Sequence, residues 1–301
     1  MRTYDLIIIG AGPAGITAAI YAARQMLDTL ILTGDIGGQT IWSGDIENYA
    51  GYQFITGLEF TTKLEEHIRK YPVVINEDEL MTAITRTAAG LEVVTGKGRY
   101  YSKAVIIASG KRSRELGAPG EKEFRNKGVA YCATCDGPLF AGKAVAVIGG
   151  GNSAIEAALK LGPIAEKVYI INNTAALGGE AIVREKVLAM KNLAVVNSAE
   201  IKEIKGAKFV NSLTYAKQGK EETIPVEGVF VEIGLIPNTG FKSEIKMNQK
   251  GEIMVNCRNE TNIEGVFAAG DVTDVPEKQI IIAAGEGSKA ALSVFKYLAG
   301  K

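Results

Sequence analysis

In "AYCATCDGPLF", Ala130 to Phe140, Cys132 and Cys135 stand two residues apart, with an acid directly after the second and a Gly-Pro break beyond it. That spacing has three chemical readings: a redox pair, half of a zinc site, or a turn that contains sulfur. Counting ligands weakens the second, because a structural zinc takes four and the other candidates, Cys257 and His67, form no second ligand pair. No metal is expected. Three cysteines in 301 residues, with no signal peptide expected, do not make a disulfide framework, so the pair reads as chemical, with a purely structural pair as the alternative. A thiolate is both nucleophile and leaving group in disulfide exchange, and this spacing can bring two sulfurs within bonding reach on one turn. Such a pair stores two electrons. Cys257, in "IMVNCRNET", is expected to be a small buried apolar residue, and His67, in "LEEHIRKY", to lie on the polar face of a helix without a catalytic role.

Two further stretches must position this pair and feed it. "YDLIIIGAGPAGITAAIYAARQ" opens with an unbroken apolar run, Tyr4 to Ile9, as suits a parallel strand buried on both faces. Gly10, Gly12 and Gly15 follow, then an alanine-rich helix. Gly10 permits the tight turn, Gly12 lets a pyrophosphate approach the backbone, and Gly15 lets helix and strand pack closely, so that the phosphates face the helix N-terminus. "KAVAVIGGGNSAIEAALKL" repeats the unit, with Gly149 and Gly151 in place and Ala154 where the third glycine would be. Two cradles mean two nucleotides, or two halves of one transfer. A glycine turn without ligand is the alternative reading of each, and the weightier one for the second.

After each unit comes a stretch of short β-like runs, "GLEVVTGKGRYYSKAVIIASG" and "FVNSLTYAKQGKEETIPVEGVFVEIG". The expected fold is α/β: two doubly wound Rossmann-like domains, each with an antiparallel flap. A surplus strand in "NIEGVFAAGDV" and a final helix from "KQIIIAAGEGSKAALSVFKYLAG" complete the first domain. The second is therefore inserted into the first: residues 1–111 and 242–301 form one domain, 112–241 the other. Lys plus Arg and Asp plus Glu each number 34, so no net field draws the chain to nucleic acid or anionic lipid. No apolar run reaches the roughly 20 residues of a membrane helix, and a cytoplasmic protein is expected.

With "GAGPAG" (Gly10 to Gly15), "GGQ" (Gly37 to Gln39), "ENY" (Glu47 to Tyr49), "CATCDGPLF", "VAVIGGGNSA", "GVFAAGDV" and "KQIIIAAGEG" in order, the sequence resembles the low-molecular-weight thioredoxin reductase family and the flavoprotein part of alkyl hydroperoxide reductase. The chain begins at the first cradle strand, so the thioredoxin-like N-terminal extension of the second group is expected to be missing. The resemblance implies FAD in the first cradle, held by Gly10, Gly12, Pro13, Ala14 and Gly15, with Gly38, Gln39, Asn48, Gly110, Gly270, Asp271, Lys278, Gln279 and Ile280 around it. It assigns the second cradle to Gly149, Gly151, Asn152 and Ser153. It makes Cys135 the flavin-facing sulfur and Cys132 the one that attacks the substrate disulfide. Reduced flavin delivers two electrons, which matches the pair. Asp136 is the expected proton donor and acceptor, since a carboxyl in apolar surroundings exchanges protons near neutrality; a plain Asp-Gly turn is the alternative.

The cysteines and the flavin would belong to different domains, so a rotation about "SGKRSRELGAPG" (Ser109 to Gly120) and "IGLIPNTGF" (Ile233 to Phe241) is expected. Lys111, Arg112 and Arg114 read as a solvated linker, with docking of an acidic partner or phosphate as the alternative. One departure limits the resemblance: where NADPH-using members carry arginines, "YIINNTAALGGE" places Asn172, Asn173, Thr174 and Gly178. An acid suited to NADH is also missing at Asn172. NADH is favoured as donor because "GGGNSA" is intact, NADPH ranks below it, and ferredoxin or a second flavin remain alternatives. The expected electron acceptor is thioredoxin or a glutaredoxin-like protein, or a peroxide-reductase partner, with a ferredoxin-NADP reductase-like activity as the rival. A homodimer is implied by the family.

Overall fold

Along the first strand, Leu6 and Ile8 are buried in one apolar layer and Ile7 and Ile9 in another. Both faces of this strand are covered, which is why its sequence is an unbroken apolar run and not an alternating one. A computed structural model describes residues 2–42, 45, 46, 48–88 and 90–300; Glu47 and the side chains of Trp42, Asp45, Thr134 and Cys135 lie outside the described set.

The chain divides into two compact units, residues 1–112 with 236–301, and residues 113–235. The first unit opens with β1 (Thr3–Ala11), α1 (Pro13–Arg24), β2 (Thr29–Ile36), α2 (Gly57–Ile68), β3 (Val74–Asn76), β4 (Met81–Thr87), β5 (Gly90–Thr95) and β6 (Arg99–Ile107). The second contains β7 (Val129–Ala130), the one-turn helix α3 (Ala133–Asp136), β8 (Ala144–Ile148), α4 (Asn152–Leu161), β9 (Lys167–Ile171), α5 (Ala181–Leu188), β10 (Leu193–Val196), β11 (Ala199–Gly206), β12 (Val210–Lys217), β13 (Lys220–Pro225) and β14 (Gly228–Val231). The chain then returns to the first unit for β15 (Val266–Ala268) and α6 (Ile280–Ala299).

In the first unit β3, β2, β1, β6 and β15 run parallel, with Ile8 opposite both Ile31 and Ile106, and Val266 opposite Val105. β6 serves three partners, with β1 along one edge. Its first half pairs antiparallel with β5 (Leu91 opposite Ser102), while its last residues pair with β15. One long strand thus joins the flap to the parallel sheet, and the surplus strand expected from the sequence closes the other side. α1 and α6 cover one face through small residues, Ala18, Ala19 and Ala22 meeting Ala290, Ala291 and Val294, while Met81, Ile84, Leu91, Val93 and Ile253 cover the other. Each fully buried Ile or Leu of the sheet contributes about 1.5–3 kcal/mol.

The second unit repeats the plan with a parallel sheet in the order β7-β14-β8-β9-β10. Val145 and Val147 of β8 face the helices, whereas Ala146 and Ile148 face the separate antiparallel sheet β11-β12-β13. Near the crossings the backbone is held on each side. In the first unit Asn238 donates its side-chain amide to the Ser109 carbonyl (2.8 Å) and its backbone N–H to that of Gly110 (2.9 Å). In the second, Arg114 N–H donates to the Gly234 carbonyl (2.9 Å).

The contact between α1 and α6 depends on a missing side chain. A Cβ on Gly287 would lie 2.0 Å from the Ala14 carbonyl oxygen, whereas one on Gly285 meets nothing within 4 Å. Gly287→Ala should therefore destabilise the protein by about 1–3 kcal/mol in urea unfolding. Gly285→Ala, in the same helix, should raise stability by about 0.5–1 kcal/mol through helix propensity.

Candidate functional site: two glycine cradles and a cysteine turn

The first cradle forms at the carboxyl ends of β1, β6 and β15, where open α/β sheets place their ligands. Gly10, at φ +103°, turns the chain out of β1, and a Cβ on Gly15 would come within 1.9 Å of the Gly10 carbonyl oxygen. Gly12 is the N-cap of α1, has no side chain to bond the free N–H groups, and precedes Pro13; the first turn contains no acid. The space beside it is open, the nearest atom to a Cβ at Gly12 being the Gly37 carbonyl oxygen at 3.9 Å. An uncapped helix start facing an open glycine is what an approaching phosphate requires. Some of the other expected residues have contacts of their own. Gly270 abuts Ala14, whose Cβ lies 2.9 Å from where one on Gly270 would be, and Asn48 donates its side-chain amide to Gln279 Oε1 across 3.0 Å. Gly38 follows Gly37, whose N–H is bonded to the Ala11 carbonyl at 2.8 Å, and Gln39 is exposed. Thr33, where a ribose-binding acid would sit, points inward: its hydroxyl donates to the Asp35 carbonyl (2.6 Å) and accepts from Ala11 N–H (3.1 Å).

Asp271 follows β15, and burial pushes its carboxyl up against the opposing pull of Lys278 and Lys111. Lys278 donates to the Thr273 carbonyl (2.6 Å); burial, then Lys111, lowers its pKa. Both lysines face Glu252. Lys111 Nζ lies 2.8 Å from Glu252 Oε1 and Lys278 Nζ 3.6 Å from it, while Asn248 donates to Oε2 at 2.7 Å. The Lys111 side chain is 11% exposed, so this residue is a buried ion-pair partner and not part of a solvated linker. Arg112 and Arg114 are exposed, and Arg112 donates to Asn238 Oδ1 at 3.1 Å. Burial alone would raise the Glu252 carboxyl, but hydrogen bonds from Lys111 and Asn248 and the charges of both lysines outweigh it and hold the group at about 2.

In the second unit Cys132 precedes α3, whose turn closes through Asp136 N–H to the Cys132 carbonyl (3.1 Å). The two cysteines therefore flank one helical turn; the Cys135 side chain lies outside the described set. Burial pushes the Asp136 carboxyl up. Phe140 anchors the following turn edge-on against Phe230, 5.2 Å between ring centres, and leaves Leu139 70% exposed. The second cradle differs from the first in how its polar groups are used. Gly149 turns out of β8 at φ +133°, and Gly151 is the uncapped N-cap of α4. Asn152 Oδ1, however, accepts from Glu180 N–H at 2.8 Å, and the Ser153 hydroxyl donates to Glu232. Asn172 is 1% exposed, and its amide donates to Thr174 Oγ1 (2.7 Å) and the Ala176 carbonyl (2.9 Å). It is engaged within its own loop.

Sequence reasoning missed Glu232 and Glu252. Glu232 had a signal: it directly follows the apolar run of β14, at the edge where such sheets bind ligands. Burial pushes its carboxyl up to about 7, against the hydrogen bonds of Ser153 and of Ala133 N–H. Cys257, expected to be buried, is exposed. Asn256 Oδ1 accepts from Arg258 N–H (2.8 Å) and Glu260 N–H (3.1 Å), and this Asx turn carries Cys257 at its outer side. His67 is exposed on the last turn of α2. Among the described residues no helix is long and apolar enough to cross a membrane.

Two Rossmann-like units, one inserted in the other and carrying a C-x-x-C turn, define a class of nucleotide-linked disulfide oxidoreductases. Residues 4–287 match the model of the pyridine nucleotide-disulphide oxidoreductases, and the chain belongs to that family. It is 43% identical over 304 residues to the F component of the alkyl hydroperoxide reductase of Pseudomonas putida, with 99% of this chain and 58% of that protein covered. It is 42% identical to a Bacillus subtilis NADH dehydrogenase over 299 residues, 98% of this chain and 58% of that protein. The chain thus spans 58% of the length of these two curated relatives. The crystal structure of Lactococcus lactis thioredoxin reductase, in its FR conformation, superposes with a TM-score of 0.90 at 35% identity, covering 99% of this chain and all of the other. The chain shares the two-domain fold of that reductase.

The Glu252 pair should control acid stability. Its folded pKa lies below the unfolded value of 4.5, so its contribution, about 3 kcal/mol, is present above that value and lost as pH falls towards 2. Guanidinium unfolding of Glu252→Gln should show a flatter decline in stability between about pH 5 and 3 than the wild type, from a neutral-pH value lower by about 3 kcal/mol.

Proposed function

We propose that this chain is an FAD-dependent disulfide reductase that takes electrons from NADH and passes them through Cys132 and Cys135 to the disulfide of a thioredoxin-like or glutaredoxin-like protein, a peroxide-reductase partner included. The observation that carries this reading is the one-turn helix that carries the cysteine pair and ends on Asp136, whose carboxyl is pushed up by burial. The first cradle fits FAD: the backbone of Gly10, Gly12, Ala14 and Gly15 offers N–H groups to its diphosphate, Pro13, which has none, starts the helix beside it, and the partly buried Asp271 offers an acceptor for its hydroxyls. Gly38, Gln39, Asn48, Gly110, Gly270, Lys278, Gln279 and Ile280 would line the rest. FAD, when bound, exchanges two electrons with a dithiol or a nicotinamide.

The chain's own chemistry then follows from its sulfurs. The Cys132 thiolate attacks one sulfur of the partner disulfide; that S–S bond breaks, a mixed disulfide forms, and the partner's other sulfur leaves as a thiolate. Cys135 then attacks the Cys132 sulfur, releasing the partner as a dithiol and leaving Cys132 and Cys135 oxidised by the same two electrons. Asp136 accepts and returns the proton at these sulfurs.

The name of the Bacillus subtilis relative supports NADH as donor. The inward-turned Asn172, and the lack of any arginine between Asn172 and Gly178, support weak binding and rank NADPH lower. A reduced ferredoxin or a second flavin in the second cradle is the reading that the same observation favours if NADH fails. A homodimer in the cytoplasm belongs to the proposal by family likeness.

Cys132→Ser and Cys135→Ser should each keep bound flavin and lose disulfide turnover by at least about 10³-fold, since no second dithiol replaces the pair. Retained turnover, or purified protein without flavin, sinks the reading. Anaerobic mixing with NADH, NADPH and reduced ferredoxin, followed by flavin bleaching, should show NADH fastest, with a KM at or above the upper end of the usual range, about 1 mM.

A further inference from the structure

Glu232 touches two functional elements of the second unit at once. Its carboxyl accepts the backbone N–H of Ala133, the first residue of α3 and the neighbour of Cys132, and it accepts the hydroxyl of Ser153, in the first turn of α4 beyond Gly151. Its backbone is fixed as well: Glu232 N–H donates to the Ile148 carbonyl at 2.8 Å, and a Cβ on Gly149 would lie 2.2 Å from the Glu232 carbonyl oxygen. The side chain is therefore held between the cysteine turn and the second glycine turn.

We propose that Glu232 is a positioning residue of the redox site, whose charge, delivered at the Ala133 N–H, sets how readily Cys132 becomes a thiolate. This deepens the disulfide-reductase reading above and rests on it for its biological meaning. An N–H at the start of a helix favours an adjacent thiolate, and a carboxylate on that N–H opposes it. The groups that act on Glu232 are Ser153 and Ala133 N–H, which favour its ionised form, Lys160, which does the same, and Glu156, which opposes it; Asp136 stands at the far end of the same cysteine turn. Burial outweighs them and pushes Glu232 up to about 7, so its charge changes in the range where thiols titrate. The sign is fixed. Below that value Glu232 is neutral and leaves a Cys132 thiolate unopposed; above it the carboxylate disfavours that thiolate. Asp136 remains the proton carrier of the proposed function, and Glu232 acts through the cysteine without touching the substrate.

The test uses the full chain carrying Cys135→Ser, reduced and treated with iodoacetamide, with the Cys132 peptide followed by mass spectrometry and the exposed Cys257 as internal reference. It needs neither flavin nor electron donor, so it can fail while the proposed function stands, and the reverse. Glu232→Gln keeps an oxygen for Ala133 N–H and Ser153 but removes the charge. Its Cys132 alkylation rate should match the wild-type rate near about pH 5.5, where both side chains are neutral, and exceed it by about 3- to 10-fold near pH 8. Glu232→Ala should follow the same profile. Superimposable wild-type and Gln profiles overturn the proposal, as does a change seen with Ala alone, which would mark the residue as a structural acceptor only.

Discussion

The structure depends on backbone meeting backbone where side chains are missing. The Gly10 carbonyl occupies the place a Gly15 side chain would take, and the Ala14 carbonyl occupies that of Gly287. Through the first contact, α1 starts directly at the end of β1, so its unbonded N–H groups face the strand ends. Through the second, α6, at the far end of the chain, is drawn against the same turn. A side chain at Gly15 separates helix from strand, and one at Gly287 separates α6 from α1.

On this frame, four carboxyls meet different fates for one physical reason: how fully each is paired. Glu252 is buried between Lys111, Lys278 and Asn248, and the cost of burying its charge is more than offset. Asp271, Asp136 and Glu232 are each pushed up by burial that nearby donors do not offset. The fully paired carboxyl holds the scaffold together at the start of a crossing. The three under-compensated ones lie at the first cradle, at the cysteine turn, and between that turn and the second cradle, where a carboxyl that gives up its proton less readily has chemical use.

The two cradles show how a repeated motif can diverge in chemistry without diverging in shape. Both turn on a left-handed glycine and both start an uncapped helix. The space beside Gly12 and beside Gly151 is open in both. In the second, Asn152, Ser153 and Asn172 have intramolecular partners, and Asn172 backs onto Gly150, where a Cβ would lie 2.3 Å from Asn172 Oδ1. A ligand there must compete with hydrogen bonds already made, which accords with the lack of arginines after β9.

Much of this was legible in the chain, because it rests on neighbours in sequence. The apolar runs of β1 and β8, the glycine turns after them, and the Cys132–Cys135 spacing are local patterns whose physics acts within a few residues, and they determine the α/β class and the placing of two cysteines about one turn. Side-chain partnership was not legible, since it joins residues far apart. Lys111 looked solvated among Arg112 and Arg114 until Glu252, 141 positions on, covered it. Asn48 and Gln279 meet across 231 positions. Cys257 looked apolar until the Asn256 turn carried it outward, and Glu232, missed in the sequence, gained its partners only where α3 and α4 meet it. Composition and spacing determine which elements form and what chemistry they can carry; burial and distant pairing, which exist only after the elements pack, decide which charges survive and where.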